Sequence, residues 1–202
     1  MYKRQAAAEA GAKVLLISGP VSLETPARVR RIDVESAQEM HAAVMNDIGD
    51  TDIFISVAAV ADYRPASVAE QKLKKTAATL SLELIPNPDI LADVAALPDA
   101  PFTVGFAAET QALEINARDK LRAKKLDMIA ANTVGQQQGF DQEDNALHVL
   151  WAQGERPLPH TGKSRLARQL LAVIAERFEK KLHGDSNTRQ EKVVRIHAKD
   201  SA

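Results

Sequence analysis

Several charged residues stand where a packed fold has little use for them. The segment from Glu109 to Lys125 predicts a helix, and at about 100° per residue Lys120 and Lys124 share an angular sector with Leu113 and Ala117. Lysines on a face that should pack inward are costly unless the ammonium reaches an anion or snorkels past the helix end. Snorkelling is the plain reading, and a place near the helix C-terminus also suits the helix dipole. The sharper reading is a pair of cations that meets a phosphate group. A second basic cluster, Lys72, Lys74 and Lys75, lies beside a loop containing Asp62. Alternation along an edge strand puts Lys72 and Lys74 on one side and Lys75 on the other. Asp62 follows a strand end, where it could hold a metal or a ligand hydroxyl, or equally cap a turn. Together these residues describe a cleft with candidate cations around a polyanion.

Other chemistries find no residues to perform them. The chain has no cysteine, which excludes disulfides, zinc thiolate sites and a cysteine nucleophile. The histidines (His41, His148, His160, His183 and His197) are scattered without metal-ligand spacing, and each reads as a surface or packing residue. No metal site is expected from the protein's own side chains. Thr161-Gly162-Lys163-Ser164 imitates the end of a phosphate-binding P-loop, but Pro157 occupies the place of that motif's first glycine, so these residues read as a loop leading into a helix start. No G-x-G-x-x-G dinucleotide fingerprint occurs.

The elements that must position these side chains alternate. Lys13 to Ser18 is a short apolar run of the kind buried on both faces, and Val29 to Val34 is a second strand. Ser36 to Ile48 is a helix with a capping box from Ser36 and Glu39, and with Met40, Val44 and Ile48 on one face. Asp52 to Val57 is a strand running into the small-residue loop Ala58 to Pro65. Lys72–Lys75 and Leu80–Ile85 read as a two-stranded excursion, the second arm carrying Leu80, Leu82 and Leu84 on one side. Asn87 caps a helix with Pro88 at its first position, ending near Ala96. Then come a strand at Phe102–Phe106, the lysine-bearing helix, a strand at Asp127–Ala131, a last strand at Ala146–Trp151, and an amphipathic helix from Ser164 to about Lys181. His183 to Ala202 is polar and without periodicity, the composition of a disordered tail. Such an alternation with near-continuous apolar strands predicts an α/β fold, Rossmann-like in three layers, with a mostly parallel sheet covered by helices on both faces. Ligands of such folds sit beyond the carboxyl ends of the strands, here Ser18, Val57-Ala58-Ala59, Gly105 to Ala108 and Ala131-Asn132.

Size and composition set the frame. The 202 residues suit one domain, 45 % of them are hydrophobic and 26 % charged, and the net charge of −1 gives no reason to expect a nucleic-acid partner. No apolar run approaches the roughly 20 residues that span a bilayer, and no signal-peptide pattern opens the chain, so the expected compartment is the cytoplasm. Met1 to Gln5 leads straight into Ala6-Ala7-Ala8-Glu9-Ala10-Gly11, the last turns of a helix stopped by a glycine. The expectation is that residues 1–5 are foreign or artefactual and that native sequence is missing upstream; a short native helix is the alternative.

Several blocks of residues now agree with one family. Ser18-Gly-Pro-Val-Ser-Leu, Ala58-Ala-Val-Ala-Asp-Tyr-Arg64, Lys72-Leu-Lys-Lys75, Asn87-Pro-Asp-Ile90, Gly105-Phe-Ala-Ala-Glu-Thr110, Lys120 with Lys124, and Ala131-Asn132 occur in order and at similar spacing. From Ala6 to about Lys180 the chain resembles the phosphopantothenoylcysteine synthetase half of bacterial bifunctional coenzyme A biosynthesis flavoproteins. The resemblance implies a ligase that joins 4′-phosphopantothenate to cysteine through an acyl-cytidylate made from CTP, with Mg²⁺ accompanying the triphosphate. It makes Lys72 the catalytic lysine, also nucleotide-binding. Asp62, Asn87, Pro88, Asp89, Ile90 and Phe106 would surround the nucleotide, Lys120 and Lys124 would hold the triphosphate, and Ala58 and Ala59 would lie beside the intermediate. It also implies a homodimer, with the Lys72–Ile85 excursion near the contact. The family's first strand and loop, with an asparagine and an arginine used on the acyl-cytidylate, have no counterpart here. Neither does the decarboxylase half, where FMN would bind. Two other readings stand beside this one: a truncated, non-catalytic fragment that binds nucleotide or self-associates, and a Rossmann-type NAD(P)-dependent oxidoreductase. The latter usually needs a Tyr-x-x-x-Lys pair, and Tyr63 is followed four residues on by Ser67.

Overall fold

The computed structural model describes residues 2–69, 71–74, 79–109, 113–133 and 144–197, the final helix beyond Gly184 by its backbone. In chain order the elements are α1 (Tyr2–Glu9), β1 (Val14–Ser18), β2 (Val29–Asp33), α2 (Ala37–Asp47), β3 (Ile53–Ile55), β4 (Tyr63–Pro65), β5 (Leu84–Pro86), α3 (Ile90–Ala95), β6 (Phe102–Glu109), α4 (Leu113–Ala123), β7 (Met128–Thr133), β8 (Asp144–Trp151), β9 (Gly154–Gly162) and α5 (Lys163–His197). One sheet has the order β3-β6-β7-β8-β9; β3, β6 and β7 are parallel, and β8 alone runs against the other four strands. The mostly parallel α/β sheet read from the sequence is present. β1 and β2 form a separate parallel pair, and β4 and β5 a small antiparallel one.

Helices cover the large sheet on both faces. On one face α5 buries Leu166, Leu170, Val173 and Ile174 against Phe102, Val104, Met128, Ala130, Leu147, Val149 and Leu158. On the other, Leu91, Ala117, Leu121 and Leu126 from α3, α4 and the turn after α4 meet Ala107, Ile129, Ala131 and Leu150. Gly105 explains how α3 and α4 come so close. A Cβ there would stand 2.9 Å from the Leu126 side chain and 3.0 Å from that of Leu91. A third cluster centred on Val44, Ile90 and Val94 takes in Ile17 of β1 and Phe54 of β3, so both strands rest on α2 and α3 without pairing with one another.

Four details differ from the sequence reading. The excursion pairs Leu84–Pro86 with Tyr63–Pro65, whereas Lys72 to Lys74 carry no strand and Lys75 lies outside the described residues. Asp89, not Asn87, is the N-cap of α3: its Oδ1 accepts from the Ala92 N–H at 3.1 Å. A further strand, β9, follows Trp151 as the second arm of a hairpin, so Thr161 and Gly162 end a strand rather than form a loop before α5. Helix α5 continues to His197, past the point where apolar periodicity stops; residues 198–202 lie outside the described residues. Other local signals translate directly. Ser36 Oγ accepts from the Glu39 N–H at 3.1 Å while Glu39 accepts from the Ser36 N–H at 3.4 Å, the capping box of α2. The expected helix end near Gly11 is α1, with Gly11 at φ +92°. Among the described residues no helix is long and apolar enough to cross a membrane.

The lower end of the sheet is tied by one carboxylate. Asp127 Oδ2 accepts from the Thr103 N–H at 2.8 Å and from its hydroxyl at 3.2 Å, and Oδ1 accepts from Lys181 at 2.7 Å, fastening β6 and β7 to α5. Thr103 is fully buried. Asp127→Ala leaves that amide without its acceptor and is expected to cost about 1–3 kcal/mol, measured by urea unfolding.

Candidate functional site

Connectivity and packing sort the expected site residues into groups. Ala58 and Ala59 are exposed just past β3, at the carboxyl end of the sheet as expected. Asp62 lies three to four residues further on and is tied to the turn before α3, because its carbonyl accepts from the Asn87 N–H at 2.8 Å. The Asn87 side chain strengthens that tie. Its Nδ2 donates to the Ala61 carbonyl at 2.8 Å, and its Oδ1 accepts from Arg64 at 3.3 Å, while the same Arg64 nitrogen also donates to the Pro86 carbonyl. Antiparallel pairing of Tyr63 with Pro86 and Arg64 with Ile85 holds the two segments in register. The small-residue loop and the Asn87-Pro88-Asp89 turn therefore form one body.

Asp89 carries this body to α4. Its Oδ2 accepts from Lys124 Nζ at 2.6 Å. Partial burial works to raise the pKa of this carboxyl, but the hydrogen bonds from Lys124 and the Ala92 N–H, with the charges of Lys124 and Lys120, outweigh it and hold the pKa below the usual value. So Asp89, Lys120 and Lys124 share one electrostatic neighbourhood. The inward-facing sector is also confirmed: Ala117 and Leu121 are buried, and Lys120 and Lys124 are half-buried beside them. Their place differs in one respect from a site at the strand carboxyl ends. Helix α4 returns the chain from the carboxyl end of β6 toward the amino end of β7, so its last turns face α3 on the flank of the sheet. Ile90, expected beside the nucleotide, is a core residue packed with Val44 and Val94. Its side chain is taken up by the core, which leaves its backbone for a ligand.

Two expected residues are not joined to this cluster. Phe106 points to the opposite face of β6, packing with the α5 core, and its ring is covered by Lys3 Nζ at 4.4 Å. Burial, and then the charge of Lys163, lower the pKa of that ammonium. Beside α3 and α4, Phe106 therefore offers backbone rather than a ring. Lys72 is exposed on a segment without regular structure, and among the described residues no ion pair or hydrogen bond fixes it. Sequence reasoning also missed the linking role of Arg64; a lone arginine between Tyr63 and Pro65 carries no signal of its own. A cavity of about 300 Å³ lined by Arg118, Leu121, Arg122, Lys125, Trp151 and neighbours contains none of the expected residues, and its Arg118 is already paired with Glu114 and Glu155. Among the described residues no group of three or more His, Asp or Glu is placed to hold a metal ion.

Comparison with known proteins gives this arrangement a family. The family model described as the DNA/pantothenate metabolism flavoprotein C-terminal domain matches residues 4–178. The chain belongs to this family. It is 55 % identical over 174 residues to the coenzyme A biosynthesis bifunctional protein CoaBC of Vibrio vulnificus (strain YJ016), covering 84 % of this chain and 43 % of the relative. To the CoaBC protein of Escherichia coli (strain K12) it is 50 % identical over 181 residues, 87 % of this chain and 45 % of that protein. The chain thus spans less than half the length of these relatives. Among solved structures, the C-terminal domain of a CoaBC protein superposes with a TM-score of 0.74 at 35 % identity, covering 89 % of this chain and 81 % of that one. A Cab2 mutant in complex with phosphopantothenate-cysteine superposes at a TM-score of 0.61 and 14 % identity, covering 79 % of this chain and 56 % of that chain, which reports the shared fold.

Proposed function

We propose that this domain is the ligase part of coenzyme A synthesis, binding CTP and joining 4′-phosphopantothenate to cysteine. The observation that carries the reading is the Asp89–Lys124 pair with Lys120 beside it, held to the Ala58–Asp62 loop through Asn87. Two half-buried cations next to this turn suit a nucleoside triphosphate: the lysines take phosphate charge and the turn meets a base edge. Family membership supplies the substrate class, since the relatives are named for coenzyme A biosynthesis.

In this reading a carboxylate oxygen of 4′-phosphopantothenate attacks the α-phosphorus of CTP. The bond to the β-phosphate breaks, and pyrophosphate leaves with the electron pair. The cysteine amine then attacks the acyl carbon of the mixed anhydride, expelling CMP and losing a proton as the amide forms. Lys72 offsets negative charge developing on the transferred phosphoryl group, and Ala58 and Ala59 admit the acyl-cytidylate close to the backbone. Mg²⁺ arrives as part of the triphosphate complex. The leucine arm (Leu80, Leu82 and Leu84, each more than half exposed) supports a homodimer contact there. Leu80→Ser with Leu82→Ser should shift the chain to monomer in sedimentation velocity, and an unchanged dimer would place the contact elsewhere.

The break between β1 and β3 supports a second, narrower reading for this polypeptide, that of a nucleotide-binding fragment without turnover. Both strands rest on α2 and α3, and among the described residues no strand pairs with both of them. The test is calorimetric titration with CTP, ATP and NAD in Mg²⁺, with Lys72→Ala alongside. CTP should bind best and Lys72→Ala should weaken it. A folded chain that ignores CTP, or prefers NAD, refutes the nucleotide site.

A further inference from the structure

The geometry points to Arg64 as a positioning residue for the turn that meets the nucleotide, with Asn87 as its strut rather than a base contact; this rests on the CTP-binding reading above. The Asn87 carboxamide is oriented at both ends, Oδ1 accepting from Arg64 at 3.3 Å and Nδ2 donating to the Ala61 carbonyl at 2.8 Å. A flipped amide would set donor against the guanidinium and acceptor against the carbonyl, so the two partners fix its orientation. Its backbone N–H is equally committed, to the Asp62 carbonyl at 2.8 Å.

Arg64 completes the frame. The same guanidinium nitrogen that meets Asn87 also donates to the Pro86 carbonyl, so one side chain grips consecutive residues at the entrance of the turn. Its own backbone sits opposite Ile85 in the β4–β5 pair, which sets its reach. Among the described residues no carboxylate pairs with it, and its hydrogen bonds go to neutral oxygens. Downstream of the strut, Pro88 stiffens the chain and Asp89 both caps α3 and holds Lys124. A turn released from Arg64 loses its register with Asp62 while the phosphate-facing lysines stay on α4.

This separates two contributions to binding that an ordinary stability defect would lower together. The experiment compares wild type, Arg64→Lys, Arg64→Met and Asn87→Leu, all in the full chain. Inorganic tripolyphosphate probes the lysines, CTP probes lysines and turn together, and hydrogen exchange at the Asn87 amide reports the turn without any ligand. Arg64→Met and Asn87→Leu are expected to lose about tenfold or more in CTP affinity while tripolyphosphate binding stays within about twofold, with Arg64→Lys in between because lysine lacks the planar fork. Exchange at Asn87 should accelerate by about tenfold or more while β7 amides keep their protection. Unchanged Asn87 protection in Arg64→Met overturns the proposal, as does an equal loss of CTP and tripolyphosphate binding. If folded wild type ignores CTP, the nucleotide reading falls and the turn's role in it falls too, whereas the exchange comparison still decides whether Arg64 sets the turn.

Discussion

Met128→Ala is expected to lower the free energy of unfolding by about 2–5 kcal/mol, a large share of the roughly 5–15 kcal/mol that a domain of this kind possesses. Met128 has no solvent exposure and opens β7, the central strand of the sheet, facing Val104 on β6 and Trp151 on β8. Its side chain fills the α5 face together with Leu170, Ile174 and Val149. Paired strands on either side cannot close over the lost volume, so much of the cavity cost remains. Ile115→Ala is the matched control: on α4 but 65 % exposed, it should change stability by no more than about 0.5 kcal/mol. The layer arrangement adds a second expectation. Met128 packs on the face opposite Asp89, Lys120 and Lys124, so well below the unfolding transition the variant should bind CTP as wild type does. Equilibrium unfolding and calorimetry on the same preparations check both statements. A loss under 1 kcal/mol would mean that the α5 face is less tightly packed than the structure shows.

The contrast between the two sheet faces also explains which features the sequence disclosed. Periodicity and capping are local, and they located α2 with its Ser36–Glu39 box, the inward sector of α4 and the parallel strands β3, β6 and β7. Strand β9 escaped because Pro157 and Pro159 argue against a strand; it is tolerated since β9 is the sheet edge, where a missing N–H need not be paired. The start of α3 was misread for a similar reason. Asn87 before proline is a good cap by type, yet its side chain is taken by Ala61 and Arg64, leaving Asp89 to cap. These partners are 26 and 23 residues away, which no local pattern reveals. The same holds for Phe106: alternation fixes that it and Ala107 face opposite ways, but only the positions of α4 and α5 decide which side bears the lysines. The cationic character of the site was legible, because lysines in an apolar sector are costly without a partner. That the partner in the free chain is Asp89 was not.

Lys124→Ala is expected to weaken CTP and tripolyphosphate binding on the order of tenfold, and the Lys120→Ala/Lys124→Ala pair on the order of a hundredfold, from the loss of one charge-assisted contact each at half-buried positions. Added salt should reduce the wild-type affinity and narrow these differences. Asp89 bears on the same equilibrium with the opposite sign, because a phosphate must draw Lys124 away from it. Asp89→Asn keeps a competent cap for α3 and releases the lysine, so tripolyphosphate should bind it at least as tightly as it binds wild type. Acid provides an independent check. A carboxyl whose folded pKa lies below its unfolded value contributes stability that is present above the unfolded value, about 3.9, and lost as pH falls through the folded one. Removing Lys124 strips Asp89 of a hydrogen bond and a charge, leaving the Ala92 N–H and the Lys120 charge to oppose burial. The Asp89 pKa should therefore rise in Lys124→Ala, and this carboxyl's smaller contribution to stability should be fully lost at a higher pH than in wild type. Titration of the Asp89 carboxyl carbon by NMR measures the displacement directly. An unmoved titration, with tripolyphosphate affinity unaffected by Asp89→Asn, would mean that the 2.6 Å pair does not form in solution and that Lys124 awaits its phosphate unopposed.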